Sequence, residues 1–276
     1  MATPRPQASG PDGGATTNGT PMFVQACLNG AVPRDAHLAV PLTPDEIARD
    51  ARAAVAAGVG ALHIHARQSP EHDTLDPAAC AATLMAVRAA CPGVPVGMTT
   101  VLSAVSAAPS AVTNRLTLVR AWGVLPDVVS VNIGEPGAAE LCDLLRARGI
   151  GIEAGLETTD DARALLRGGL APRCLRVLVE PMEADPTRAC ATAGAIARML
   201  RGAGVALPQV HHGDGVATWA VMAAALDAGH DIRIGLEDTL VRPDGAPARD
   251  NAELVSLAME MACRHGRTPA LPDHVP

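Results

Sequence analysis

From Pro21 onward the chain alternates short apolar runs with alanine-, leucine- and arginine-rich stretches eight times over, and this repetition narrows its possible folds more than any single residue does. The apolar runs fall near Phe23–Cys27, Ala61–His65, Val94–Met98, Val128–Val131, Gly151–Ala154, Leu175–Leu178, Gln209–His211 and Ile232–Gly235. Short β-branched runs bounded by Gly or Pro read as strands. Helices are expected between them, at Pro44–Ala57, Pro77–Ala90, Ser110–Ala121, Ala138–Ala147, Asp160–Leu166, Pro186–Leu200, Val216–Ala228 and Asn251–Cys263. Thr43-Pro44-Asp45-Glu46 and Asp76-Pro77 are helix starts, with a capping side chain followed by proline in the first turn. Eight such units predict an α/β protein with a closed (β/α)8 TIM barrel. An open doubly wound sheet is the alternative, but it rarely needs eight units, and no GxGxxG follows the first strand.

With 276 residues, 48% of them hydrophobic, the chain can bury one large core. Residues 21–276 are expected to form a single catalytic domain. Residues 1–20, rich in Pro, Gly, Thr and Ser and lacking the apolar core of a signal peptide, are expected to be a disordered tail. No apolar run reaches the roughly 18 residues of a membrane span. The formal charge of −7, without a basic run, argues against a nucleic-acid partner. Seven scattered cysteines with no CxxC point to reduced thiols in a cytoplasmic protein.

One absence restricts the chemistry. All 22 basic residues are arginine. Schiff-base aldolases, pyridoxal-phosphate enzymes and P-loop NTPases each need a lysine amine, and these classes fall away. Tyrosine is missing too. If such a chain stabilises a carbanion or enolate, a metal ion is the obvious substitute electrophile.

The segment Ala61-Leu62-His63-Ile64-His65-Ala66-Arg67 suggests where that metal would sit. Side chains repeat every two residues along a strand, so His63 and His65 share a face. His-x-His alone is a weak signal and needs a third ligand. Read as a strand, Asp231 to Thr239 places Arg233, Gly235, Glu237 and Thr239 on one face. The first, second and eighth strands of a barrel are near neighbours, so Glu237 could reach both histidines. Two histidines and a carboxylate with an open position form a common catalytic zinc site, although an acid at a strand end is otherwise an ordinary helix cap.

Four segments together resemble a known family: Cys27-Leu28-Asn29-Gly30-Ala31, Leu42-Thr43-Pro44-Asp45-Glu46-Ile47-Ala48, Leu62-His63-Ile64-His65-Ala66-Arg67 and Arg233-Ile234-Gly235-Leu236-Glu237-Asp238. Their order and spacing are similar to those of the β-keto acid cleavage enzymes, from about Phe23 to Pro269. The resemblance implies a zinc-dependent barrel that condenses a β-keto acid with acetyl-CoA, giving acetoacetate and a new acyl-CoA. It implies His63, His65 and Glu237 as zinc ligands, Asp238 as general base, Arg233 as the arginine orienting it, and Thr99 in place of a serine of that network. It also implies a homo-oligomer, commonly a tetramer.

The candidate substrate contacts are Thr100, Asn132, Glu135, Glu180 and His212. Thr99-Thr100 is followed by Val101-Leu102 where the family commonly has a Gly-Gly pair that holds a carboxylate. Glu135 stands where the family's representative has a threonine. Val32 stands where that representative directs an acid at its substrate's amino group. A less polar pocket preferring neutral or anionic keto acids is the expectation, with Glu135 able to reverse it. Glu153, Glu180, His211, His212 and Asp214 are all expected near the catalytic rim, while His72 and His230 read as surface or helix-end residues. Two other classes remain open on the residues alone: a metal-dependent hydrolase or lyase on the same fold, and a non-catalytic zinc-binding barrel.

Overall fold

The computed structural model describes residues 20–105 and 110–270. Eight parallel strands close into a barrel: β1 (Val24–Cys27), β2 (Ala61–Ile64), β3 (Val96–Thr99), β4 (Val128–Asn132), β5 (Gly151–Leu156), β6 (Arg176–Val179), β7 (Gln209–His211) and β8 (Asp231–Ile234). Each strand pairs with the next in chain order, and β8 closes on β1 through Ile232 and Val24. Eight helices follow them: α1 (Pro44–Ala56), α2 (Pro77–Ala90), α3 (Ala111–Ala121), α4 (Ala138–Ala147), α5 (Thr159–Arg167), α6 (Pro186–Gly202), α7 (Thr218–Asp227) and α8 (Asn251–Arg264). The (β/α)8 expectation therefore holds.

Local chemistry starts these helices where the sequence indicates. Thr43 accepts from the Glu46 amide while Glu46 reaches back to the Thr43 amide, and Asp76 accepts from the amides of Ala78 and Ala79. Alternation then sorts the strand side chains. Leu62, Ile64, Val129, Val131 and Ile152 join the main apolar core, while His63 lies between two of them in sequence and faces the barrel interior. Phe23, Ala61, Leu178 and Val210 pack together as a second, smaller apolar cluster.

A polar layer sits inside the barrel. Glu153 on β5 accepts from Gln25 on β1 at 2.8 Å and from Arg176 Nε on β6 at 2.5 Å, and Arg176 lies 4.4 Å from the centre of the Phe23 ring. The Gln25–Glu153 bond joins strands on opposite sides of the barrel, so it crosses the interior. Glu153, expected near the rim, is instead fully buried in this layer.

Two boundaries also differ from expectation. Thr20, the last residue of the expected tail, belongs to a short strand, Thr20–Met22, paired with Arg267–Pro269; residues 1–19 lie outside the described residues. The eighth strand ends at Ile234, and a turn begins at Gly235, where Asp238 and Thr239 donate their amides to the Gly235 carbonyl. Among the described residues no helix is long and apolar enough to cross a membrane.

Candidate functional site

Barrel geometry gathers chemistry at the C-terminal ends of the strands, and here it brings together residues far apart in sequence. His63 closes β2, and His65 follows two residues later. Register aligns Cys27 of β1 with His63, so the chain leaving β8 passes next to them. Glu237 Oε1 lies 3.7 Å from His63 Nε2 and 3.5 Å from His65 Nε2. Gly30, with φ +47°, makes this approach possible: a Cβ there would run into the Glu237 side chain.

These three residues offer ligand atoms within 4.8 Å of one another and are the one group of three or more possible metal ligands among the described residues. Burial pushes His63 down to about 3, so its imidazole stays neutral with a lone pair to give. Burial also acts to lower His65, but Glu237 and then Asp73 outweigh it and hold His65 at about 9. Burial would raise Glu237, yet Arg233 and the two histidines keep it well below the ordinary carboxylate range. Glu237 Oε2 is buried without a partner, a position that costs free energy unless a cation or donor meets it. The donor set therefore fits a divalent cation of zinc's type.

Asp73 completes this cluster, and sequence reasoning missed it. The strands Arg67–Ser69 and His72–Asp73 form a small hairpin that returns Asp73 beside Arg67, and Asp73 Oδ2 lies 2.9 Å from His65 Nδ1. A carboxylate on one imidazole nitrogen fixes the tautomer that leaves the other free for a metal. The Pro70-Glu71 turn was the available signal. Asn29 adds a second brace, bonding both the amide and the carbonyl of His65 at 2.9 Å. Arg67 donates to the carbonyls of Asn29, Gly30 and Val32, so it ties down this loop.

The turn at Gly235 decides the next feature. Along a continuous strand Glu237 and Asp238 would point to opposite faces, but in the turn both reach Arg233. The buried Arg233 donates through Nη2 to Glu237 and to Asp238 Oδ1, the latter at 2.8 Å, and through Nε to Asp238 Oδ1 at 3.1 Å. Burial raises the Asp238 carboxyl above its ordinary value against the pull of Arg233 and His212, which makes it a better proton acceptor than an exposed aspartate. His212 Nδ1 lies 3.4 Å from Asp238 Oδ1, and its Nε2 lies 3.2 Å from Glu180 Oε2. One imidazole thus links the two carboxylates.

A cleft of about 260 Å³ opens over these groups. His63, His65, Glu237, Asp238, Arg233 and Thr99 all line it. So do Asn132, Glu180, His212 and Asp214. Thr100 and Glu135 do not. The Thr100 hydroxyl turns away to donate to the Ser130 carbonyl at 2.5 Å. Glu135 pairs with the fully buried Arg115 and accepts from the Leu102 amide at 2.9 Å, tying the loop after β3 to the loop after β4. His211 points out of the barrel and stacks on His230 at 4.6 Å.

The wall opposite the metal ligands is mixed in character. Val101 does line the cleft, but so does Glu157, which the sequence reading passed over. Glu153, Gly155 and Glu157 alternate along and just beyond β5, so the periodicity that pairs His63 with His65 also turns Glu157 inward.

A sequence model of the beta-keto acid cleavage enzymes matches residues 21–167 and 182–275 of this chain. The 3-keto-5-aminohexanoate cleavage enzyme of Fusobacterium nucleatum subsp. nucleatum is 27% identical over 267 residues, spanning 91% of this chain and 95% of that protein. Among solved structures, ObcA in binary complex with oxaloacetate superposes with a TM-score of 0.70 at 18% identity, covering 86% of this chain. ObcA in ternary complex with a C4-CoA adduct and oxalate superposes at 0.69 with 19% identity. In both cases this chain spans 66% of the length of ObcA.

Proposed function

The chain belongs to the beta-keto acid cleavage enzyme family, and from that premise we propose that it is a zinc-dependent acyltransferase. It takes a β-keto acid and acetyl-CoA to acetoacetate and a new acyl-CoA. The observation that carries this reading is the meeting of His63, His65 and Glu237 with an Arg233-held Asp238 in one cleft. The C4-CoA adduct and oxaloacetate named for ObcA support substrates of the keto acid and CoA-thioester classes.

His63, His65 and Glu237 would hold the zinc, which when bound would supply Lewis-acid polarisation of a carbonyl and a positive charge to meet developing negative charge; the chain has no lysine or tyrosine for that role. Asp238 removes the proton from the carbon between the keto group and the carboxylate. Arg233 holds the Asp238 carboxylate through Nε and Nη2 and so aims its remaining lone pairs into the cleft. His212, between Asp238 and Glu180, steadies the base from the other side. Thr99, whose Oγ1 accepts from the Val101 amide at 3.1 Å, fixes the start of the loop after β3. The cleft accommodates a small acid, so the bulk of acetyl-CoA lies outside its mouth.

Seven cysteines, none in a disulfide, support a reducing, cytoplasmic setting, and the homo-tetramer implied by the resemblance is part of the same proposal. The test is direct. Zinc-loaded protein mixed with acetyl-CoA and a panel of β-keto acids is expected to form acetoacetate and a second acyl-CoA in equal amounts, seen by mass spectrometry. Loss of the keto acid without a new thioester would favour a hydrolase or lyase, and no change at all would favour a binding barrel.

Asp73 gives a second expectation. With its partner weakened, His65 loses its fixed tautomer, and Asp73→Asn is expected to reduce zinc affinity by about 10- to 100-fold. Competition against a chromogenic chelator measures this independently of turnover, and unchanged affinity would show that Asn29 alone orients His65.

A further inference from the structure

The wall of the cleft opposite the metal ligands carries a set of acceptors with too few donors. His63, His65 and Glu237 belong to β2 and the turn after β8. Asn132 ends β4, Glu157 follows β5 and Glu180 follows β6, which places these three across the barrel mouth. All three line the cleft.

Glu180 is only 9% exposed, and its two oxygens differ in their partners. Oε2 meets His212, whereas Oε1 is buried and has no partner. Oε1 is turned toward Gly155, where a Cβ would collide with it and would sit 3.2 Å from Asn132 Oδ1. Glycine at 155 is therefore what allows a carboxylate oxygen and an amide oxygen to face the same small space. Glu157 stands at the edge of that space. It receives one long bond, 3.3 Å from Asn132 Nδ2, and no described arginine or histidine lies within ion-pair distance of it. Burial, and then the charges of Glu180, Asp161 and Glu135, raise the Glu157 carboxyl above its ordinary value, as expected for an acid whose neighbours are acids.

A buried carboxylate oxygen without a donor is unfavourable unless something supplies one. A neutral or anionic tail would leave Glu180 Oε1 unmatched and add repulsion, whereas an ammonium presents three donors and a positive charge. Resting on the keto acid reading above, we propose that Glu157, Glu180 and Asn132 form a subsite for a cationic, N–H-bearing group on the tail of the β-keto acid. The reacting end then lies at Asp238 and the charged end on the β4–β6 wall. His212 spans the gap between Asp238 and Glu180, so the tail is short. This site uses neither position 32, whose Val32 does not line the cleft, nor Glu135, which is held by Arg115.

The experiment uses zinc-loaded protein and β-keto acids of matched length whose tails end in an ammonium, a methyl or a carboxylate. A charge-assisted hydrogen bond is worth about tenfold or more, so kcat/KM is expected to favour the ammonium over the methyl by at least about tenfold. That ratio is expected to fall by about as much in Glu157→Gln. Equal use of the methyl-tailed acid, with the ratio unmoved in Glu157→Gln, overturns the subsite while leaving the transfer activity standing. If no keto acid reacts, the activity reading fails instead, and titration of 5-aminopentanoate against pentanoate and glutarate decides the subsite alone. Tighter binding of 5-aminopentanoate by about tenfold sustains it, and equal binding overturns it. The same titration on unaltered protein serves if Glu157→Gln does not fold.

Discussion

Asp238→Asn is expected to lower kcat by about 10² to 10⁴, the usual contribution of a positioned general base, while zinc content and thermal stability stay close to those of the unaltered protein. Asparagine keeps the shape and can still accept from Arg233, so the hydrogen-bonded turn from Gly235 to Thr239 has no reason to open. What it loses is the proton-accepting oxygen next to the reacting carbon. Steady-state kinetics with elemental analysis on the same sample separates the two effects. Retention of more than about a tenth of kcat would show that another group takes the proton, and His212, 3.4 Å from Asp238, is the nearest candidate.

The second large effect is expected from removing both histidines. His63→Ala together with His65→Ala should abolish stoichiometric zinc and all turnover, because a single carboxylate cannot hold the ion against water. Both histidines are buried, so the double variant also opens a cavity, and circular dichroism must show that the barrel persists. A folded double variant that still carries one zinc per chain would sink the assignment of all three ligands. Glu237→Gln separates the ligands further: it removes the charge that balances Arg233 and both histidines without changing size.

The two variants probe different parts of one electrostatic arrangement. Arg233 touches Glu237 and Asp238 alike, so the proposed metal ligand and the proposed base share a cation. Loss of the metal is thus expected to be felt by the base, whereas loss of the base leaves the ligands in place.

Much of this was legible in the chain before any coordinates. Eight apolar runs spaced by helical stretches determined the barrel, because a parallel strand buried on both faces needs a helix to cross back. Strand periodicity put His63 with His65, and the same period continued past the end of β5 puts Glu157 with Glu153. The absence of lysine and tyrosine left a metal ion as the obvious electrophile for a developing enolate.

Tertiary structure alone decided how the faces meet. Periodicity tells which side chains share a face, but not where a strand stops, and the stop at Ile234 is what lets Glu237 and Asp238 serve one site. It also says nothing of pairs held by long-range contacts: Glu135 is drawn out of the cleft by Arg115 from α3, and Glu180 Oε1 turns toward Gly155 of β5. Each of these depends on distances between segments that local propensity does not encode, since they arise only when the whole barrel closes and its buried charges find their partners.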